Sequence, residues 1–344
     1  MDYEQLILGI GTQSLQLYLG LAMGLAFGIG ASVSHFCLRS LVMDLSVFKF
    51  TAQSYTWLLG LVIAIIFTQL LLTGDASDIS EAPVIAAQAS ISGSILGGLM
   101  FGFGMVLSRG CASRQIILIT SGNLRSLFTF GAFAVSAQLT YGGLLVPFRQ
   151  SVQDLWRLDQ SHSQLQDVVP LSATLVILIG TAVAFACLIA LINHKAWAQI
   201  IGATIVGLAI AFGWYATSFV AYHTFNEILP QSITFSAPTA QSLITIMSLD
   251  APFIRLAAGL LLGCFAGSII VTVLRQDFNL QSFTPQLPMR RYLLAGTLMG
   301  VGSVLAIGCS VGAGLSGTAV LATGSIVTLT FIVAGGLISA RYNT

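Results

Sequence analysis

Charge is what this chain of 344 residues has least of. Asp, Glu, Lys and Arg together make up 7% of it, 13 basic against 12 acidic, for a net charge of +1. A water-soluble domain carries charge on about a quarter of its residues. With 56% hydrophobic residues and a mean hydropathy of +0.92, the sequence is that of an integral membrane protein whose solvent is the lipid bilayer. The near-neutral balance and the lack of any basic run exclude nucleic acid as a partner. The five cysteines include no C-x-x-C pair, so there is no sequence case for a disulfide framework or a zinc site. A nucleotide-binding glycine motif is also missing, and nothing asks for a cofactor.

A spanning helix needs about 20 mostly apolar residues, and that template predicts nine spans: 15–33, 55–72, 86–107, 126–146, 172–192, 198–216, 253–274, 291–308 and 322–340. Shorter helices are expected at 35–50 and 113–121. The span interiors hold no Asp, Glu, Lys or His; Arg255 lies at an edge, and Asp44 beside the first cysteine segment is the nearest exception. A buried carboxylate for a cation or a proton relay is therefore not evident. No connection is long enough for a soluble domain, so residues 1–344 are expected to form one transmembrane domain. The longest, 147–170 with Asp154, Asp159 and Asp167, and 217–252, read as external or interfacial. Asp2 and Glu4 stand where a cleavable signal would be basic, so the first apolar segment is expected to be retained. An odd number of spans puts the termini on opposite sides. Ten basic residues (Arg39, Lys49, Arg109, Arg114, Arg125, Lys195, Arg275, Arg290, Arg291 and Arg341) fall on one side and three (Arg149, Arg157 and Arg255) on the other. The positive-inside rule predicts an external N-terminus and a cytoplasmic C-terminus.

Against this apolar background one pattern recurs. Gly-x3-Gly-x-Gly-x6-Cys occurs at Gly24, Gly28, Gly30 and Cys37, at Gly98, Gly102, Gly104 and Cys111, and at Gly296, Gly300, Gly302 and Cys309. Gly-x3-Gly by itself means close helix packing. Packing does not explain a cysteine at one offset three times, each followed by small or polar residues: CLRS, CASR and CSVGAG. Cys111 sits at a turn between Gly110 and Ser113, and Gly308 and Ser310 flank Cys309. Each site reads as a helix end, a turn through the cysteine and a new helix start, and unwound backbone at membrane depth is tolerated only where it is buried in protein or lines a cavity. The first two copies follow spans of one direction and the third a span of the other. That predicts pseudo-symmetric inverted halves, 15–146 and 198–340, with 172–192 as linker. The second half has one clear copy; 253–274 has Gly259 and Gly263 but Phe265 and Thr272 at the later positions.

Thiols, freed backbone N–H groups, and hydroxyls such as Ser108, Ser113, Ser310 and Ser316 are the donors on offer. Helix N-termini favour negative charge, and glycines let a ligand approach the backbone. The chemistry points to an anion with an affinity for sulfur. SHFCLRS, SRGCASR and IGCSVGAG, set in glycine-rich spans over essentially the whole chain, resemble the YeeE/YedE family of bacterial membrane proteins, which is associated with sulfur transport and includes thiosulfate importers. The resemblance implies an all-α inner-membrane transporter, not an enzyme, with Cys37, Cys111 and Cys309 on loops lining the route of thiosulfate or a related anion. It leaves open a selenium-containing substrate.

Three weakly bonding thiols in series can pass an ion without holding it, whereas a thiolate would repel it. Arg109 and Arg114 are either topology markers or neighbours of Cys111, and His35 either satisfies local backbone or serves the Cys37 loop. Cys187 and Cys264, outside the motif, read as small buried hydrophobes. Two rival classes remain at this level: a membrane sulfurtransferase forming a cysteine persulfide, and a purely structural subunit. A transporter with no evident coupling group would depend on removal of the ion inside, for example by a cytoplasmic sulfurtransferase.

Overall fold

The computed structural model describes residues 12–73, 79, 81–86, 90–158, 164–165, 172–223, 229–247, 255–283 and 288–343. Asp2, Glu4, Asp159 and Asp167, named above, lie outside them, as do the two terminal residues. Thirteen helices of eight residues or more are described: α1 (Thr12–Ser34), α2 (Leu38–Val47), α3 (Ala52–Thr73), α4 (Ile91–Leu107), α5 (Ala112–Thr120), α6 (Leu124–Gly142), α7 (Val146–Asp154), α8 (Ala173–Asn193), α9 (Trp197–His223), α10 (Ser236–Met247), α11 (Arg255–Arg275), α12 (Met289–Leu305) and α13 (Thr323–Asn343). A π-helical turn, Gly312–Gly317, separates the last two. The protein is an all-α, multi-pass membrane protein, with no strand among the described residues. Each of the nine expected spans coincides with a long helix, and α2 and α5 are the two short ones expected between them.

Among the described residues seven stretches are long and apolar enough to cross a bilayer, and α6 with α7, bent by 68°, makes an eighth. The ninth expected span, α12, has 17 residues, the lower limit of about 17 for a crossing. It ends early because its chain turns at Ala306, before Cys309.

The glycines set how these helices meet. An added Cβ on Gly20, Gly24 or Gly28 of α1 would strike the backbone of Leu256, Leu260 or Cys264 on α11, and Gly259, Gly263 and Gly267 of α11 meet Leu17, Leu21 and Leu25 in return. Both series ascend together, so α1 and α11 are parallel and in backbone contact, the geometry small residues permit where lipid removes any hydrophobic drive to associate. By the same reading α4 is parallel to α13 and α12 to α6, through Gly102 on Ile332 and Gly296 on Thr129. Gly30 faces Gly202 of α9, and Gly97 faces Gly302. These latter contacts run in opposite senses, so α1 crosses α9, and α4 crosses α12, antiparallel.

Four units of helix, break, short helix or turn, and helix result: α1–α3, α4–α6, α9–α11 and α12–α13. The first packs with the third and the second with the fourth, each pair inverted. The third unit corrects one expectation. Its leading helix is α9, so 253–274 is the unit's second helix and not a degenerate copy of the cysteine repeat. α8 lies outside this scheme, packed on α3 and mostly exposed, with Gly180, Cys187 and Leu191 its buried residues.

Candidate functional site

Each motif cysteine follows the same helix ending. Two residues before it the backbone turns left-handed, at His35 (φ 53°), Arg109 (φ 63°) and Ile307 (φ 56°). The next residue donates its N–H back to a carbonyl five positions earlier: Phe36 to Ala31 at 3.0 Å, Gly110 to Met105 at 3.0 Å and Gly308 to Ser303 at 2.9 Å. This double closure of the last turn normally recruits glycine at the left-handed position. Here three unlike side chains occupy it, which is why no composition rule finds it.

The cysteines then open the next segment. Cys37 is the N-cap of α2 and Cys111 that of α5, and neither sulfur caps its helix by a hydrogen bond. The first-turn N–H groups of both helices thus have no side-chain cap, and the positive end of each helix dipole is directed toward the cysteines. Cys309 precedes the π-helical turn and its Sγ accepts from the Gly312 N–H at 3.4 Å.

All three side chains are buried, at 6%, 2% and 0% exposure for Cys37, Cys111 and Cys309. The Cys111 thiol lies within interaction range of the Cys37 thiol and of the Ser310 hydroxyl, and Ser113 Oγ is 3.3 Å from the Cys111 sulfur. Ser310 Oγ is buried and completes no hydrogen bond of sound geometry. Cys309 lies within electrostatic reach of Cys111, and among the described residues no group of three His, Cys, Asp or Glu side chains is gathered as metal ligands are.

The remaining supporting residues divide. The Gly110 carbonyl accepts from Ser108 Oγ at 3.0 Å and from Gln115 Nε2 at 3.1 Å, so the Cys111 loop is clamped from inside. A Cβ on Gly308 would strike Ala313, which keeps the Cys309 loop tight. Ser316 Oγ is committed to the Ile233 carbonyl at 2.6 Å. Ser108 and Ser316 therefore serve the scaffold, while Ser113 and Ser310 stand at the thiols. The motif glycines, too, are filled by neighbouring helices and offer no backbone to a ligand.

A fourth break completes the site and carries no cysteine. The non-helical segment 229–235 leads into α10, its backbone tied by a hydroxyl: Gln231 N–H donates to Thr217 Oγ1 at 3.0 Å, and Thr217 Oγ1 donates to the Gln231 carbonyl at 2.7 Å. Thr234 packs on Gly312, the Phe235 backbone reaches Cys309, and the Phe27 and Phe235 rings meet at 5.2 Å. Pro230 and the run of Ser and Thr make this stretch look like a surface loop in sequence. Gln115, one turn beyond Cys111, gives no sequence signal either.

Two cavities flank the thiols. One of 630 Å³ is lined by Ser32, His35, Arg114 and Ile117 beside the Cys37 and Cys111 loops, and by Thr272 and Arg275 at the end of α11. The other, 950 Å³, is lined by Gln16 at the start of α1, Leu256 at the start of α11, and Ser303, Gly312 and Ser316 around Cys309. Because α1 and α11 are parallel, the cavities sit at opposite ends of one helix pair. The first cavity adjoins the Cys37 and Cys111 loops through His35 and Arg114, and the second adjoins the Cys309 loop through Gly312.

The family model described as sulphur transport matches residues 33–338, which takes in all three cysteine loops. The chain belongs to this family. The thiosulfate transporter TsuA of Escherichia coli (strain K12) is 24% identical over 340 residues, covering 92% of this chain and 91% of the relative. The protein of the same name from Spirochaeta thermophila is 22% identical over 338 residues, 93% of this chain and 96% of its own. Membership of a sulphur transport family favours the transporter over the sulfurtransferase enzyme. Cys187, packed with Leu59, Leu191 and Ala203, and Cys264, whose backbone faces Gly28, are core residues in this family member.

Proposed function

We propose that this protein is a bacterial inner-membrane importer of thiosulfate, and that the ion passes Cys309, Cys111 and Cys37 in that order. The observation behind the reading is the placement of three cysteines distant in sequence on facing loops between two cavities that open at opposite ends of one helix pair. The relatives named thiosulfate transporters supply the substrate. In this reading residues 1–344 act as one transport domain, with 15–146 and 198–340 as its halves.

A bare dianion in hydrocarbon costs tens of kcal/mol, so donors must replace water along the whole route. In the narrow part these are S–H groups, Ser113 and Ser310 Oγ, and the uncapped N-termini of α2 and α5. Ser310 Oγ is the clearest case, a buried hydroxyl without a sound partner beside Cys111. Thiol contacts are weak and sulfur is polarizable, so the ion is handed on and not retained. In this reading the positive-inside rule favours the cytoplasmic side for the cavity at the basic Cys37 and Cys111 loops, with Thr344, and the outside for the Cys309 cavity, with Met1.

Uptake of labelled thiosulfate into proteoliposomes tests the route. Cys111→Ala is expected to reduce it to roughly a tenth or less, with Cys37→Ala and Cys309→Ala also impaired, while Cys187→Ala leaves it unchanged. Equal uptake by the Cys111 and Cys187 variants at equal abundance would overturn the proposal. Sulfate and selenite as competitors decide whether the substrate is thiosulfate or a selenium species.

A further inference from the structure

The cavity beside Cys37 and Cys111 has a chemistry of its own. Arg114 is the third residue of α5, and its Nη2 lies 3.5 Å from Nδ1 of His35, the left-handed residue that ends α1. One contact therefore ties the Cys111 loop to the Cys37 loop at the inner wall. Arg275, at the end of α11, donates from Nη2 to the Val33 carbonyl at 3.2 Å, two residues from His35. Asp277 lines the same cavity. Among the described residues, however, neither arginine is within ion-pair distance of a carboxylate, the one such pair being Arg157 with Asp154.

Two guanidinium groups thus face one carboxylate in a space of 630 Å³. Nη1 of Arg114 is buried and bonded to nothing. An unpaired N–H of a charged group is costly away from water. The rest of the Arg114 guanidinium, with Arg275, lines the cavity, and a guanidinium fork matches the oxygens of a tetrahedral oxyanion.

We propose that this cavity is an oxyanion-binding site in which Arg114 and Arg275, with the His35 imidazole between them, hold the oxygen end of a sulfur oxyanion as it leaves the thiols. The direction of travel rests on the transport reading, whereas the existence of the site does not. The site reads oxygens and not sulfur, so sulfate and thiosulfate both fit it, and Asp277 keeps its excess charge small enough for the ion to leave.

The test is equilibrium binding of labelled thiosulfate to the full chain in nanodiscs, with unlabelled sulfate as competitor. Arg114→Gln and Arg275→Gln are each expected to weaken binding about tenfold or more, the loss of one charge-assisted hydrogen bond. Arg114→Lys restores part of it, and sulfate competes in the unaltered protein. Binding that persists at full strength in Arg275→Gln, or that sulfate does not displace, overturns the site; Arg275 settles the matter even where the Arg114 variant fails to fold. Cys309→Ala separates the two proposals: it should retain binding while losing uptake. Retained uptake there with binding lost in the arginine variants would sink the thiol route and leave this site standing.

Discussion

Asp44, the carboxylate nearest the first cysteine, is the natural suspect for a proton site, and its hydrogen bonds assign it elsewhere. Its Oδ2 accepts from the Thr51 N–H at 2.8 Å and from Thr51 Oγ1 at 2.6 Å, and also from Ser54 Oγ. It thereby pins the end of α2 to the start of α3, where a negative charge also suits the helix dipole. Asp44→Ala is expected to lower stability by about 1 kcal/mol, the usual loss for a helix-start cap, and to leave uptake measurable. Thermal unfolding in detergent checks the first expectation. A variant as stable as the parent but dead in transport would restore Asp44 as a functional group. Cys37 and Cys111 show the opposite relation, since neither sulfur caps its own helix while both are buried.

At the scale of elements, the glycine repeat has two jobs divided by position. Its first two glycines meet the parallel partner helix, as Gly24 and Gly28 meet α11, and Gly98 and Gly102 meet α13. The third meets the antiparallel helix of the facing unit, as Gly30 meets Gly202 and Gly302 meets Gly97. The cysteine offset is constant because the loop geometry follows from that fixed packing. Gly102→Val would drive a branched side chain into the Ile332 backbone, an overpacking that costs about 1–3 kcal/mol. Its unfolding midpoint should fall and its uptake drop with it. Gly131, with open space where a Cβ would go, is the control: Gly131→Ala should be neutral or stabilising by about 0.5–1 kcal/mol. A Gly102 variant as stable as Gly131→Ala would contradict the packing account.

For the molecule as a whole the question is what drives the ion inward. A dianion moving against an inside-negative potential of about 100 mV faces roughly 4.6 kcal/mol. The described helices offer no buried carboxylate near the thiols to carry a coupling proton, and the chain has no nucleotide-binding motif. Uptake is therefore expected to be passive and sustained by consumption of the ion inside, a role that suits a cytoplasmic sulfurtransferase. With equal thiosulfate on both sides of proteoliposomes, an imposed proton gradient should produce little accumulation. Accumulation that follows the gradient and collapses with an uncoupler would refute this, and would point to His35 at the Arg114 cavity.

The amino-acid sequence by itself determined the solvent, the nine long helices, the two short ones and the three cysteine turns. These are local matters: hydropathy over about 20 residues and a spacing repeated three times. Only the tertiary structure decided which helices are parallel, that α9 leads the third unit, that the 229–235 segment supplies a fourth break, and that Arg114 meets His35. Those contacts join residues far apart in the chain through backbone surfaces that glycine leaves bare. A bare surface has no side chain to name its partner, so its pairing is set by shape once the helices are already formed.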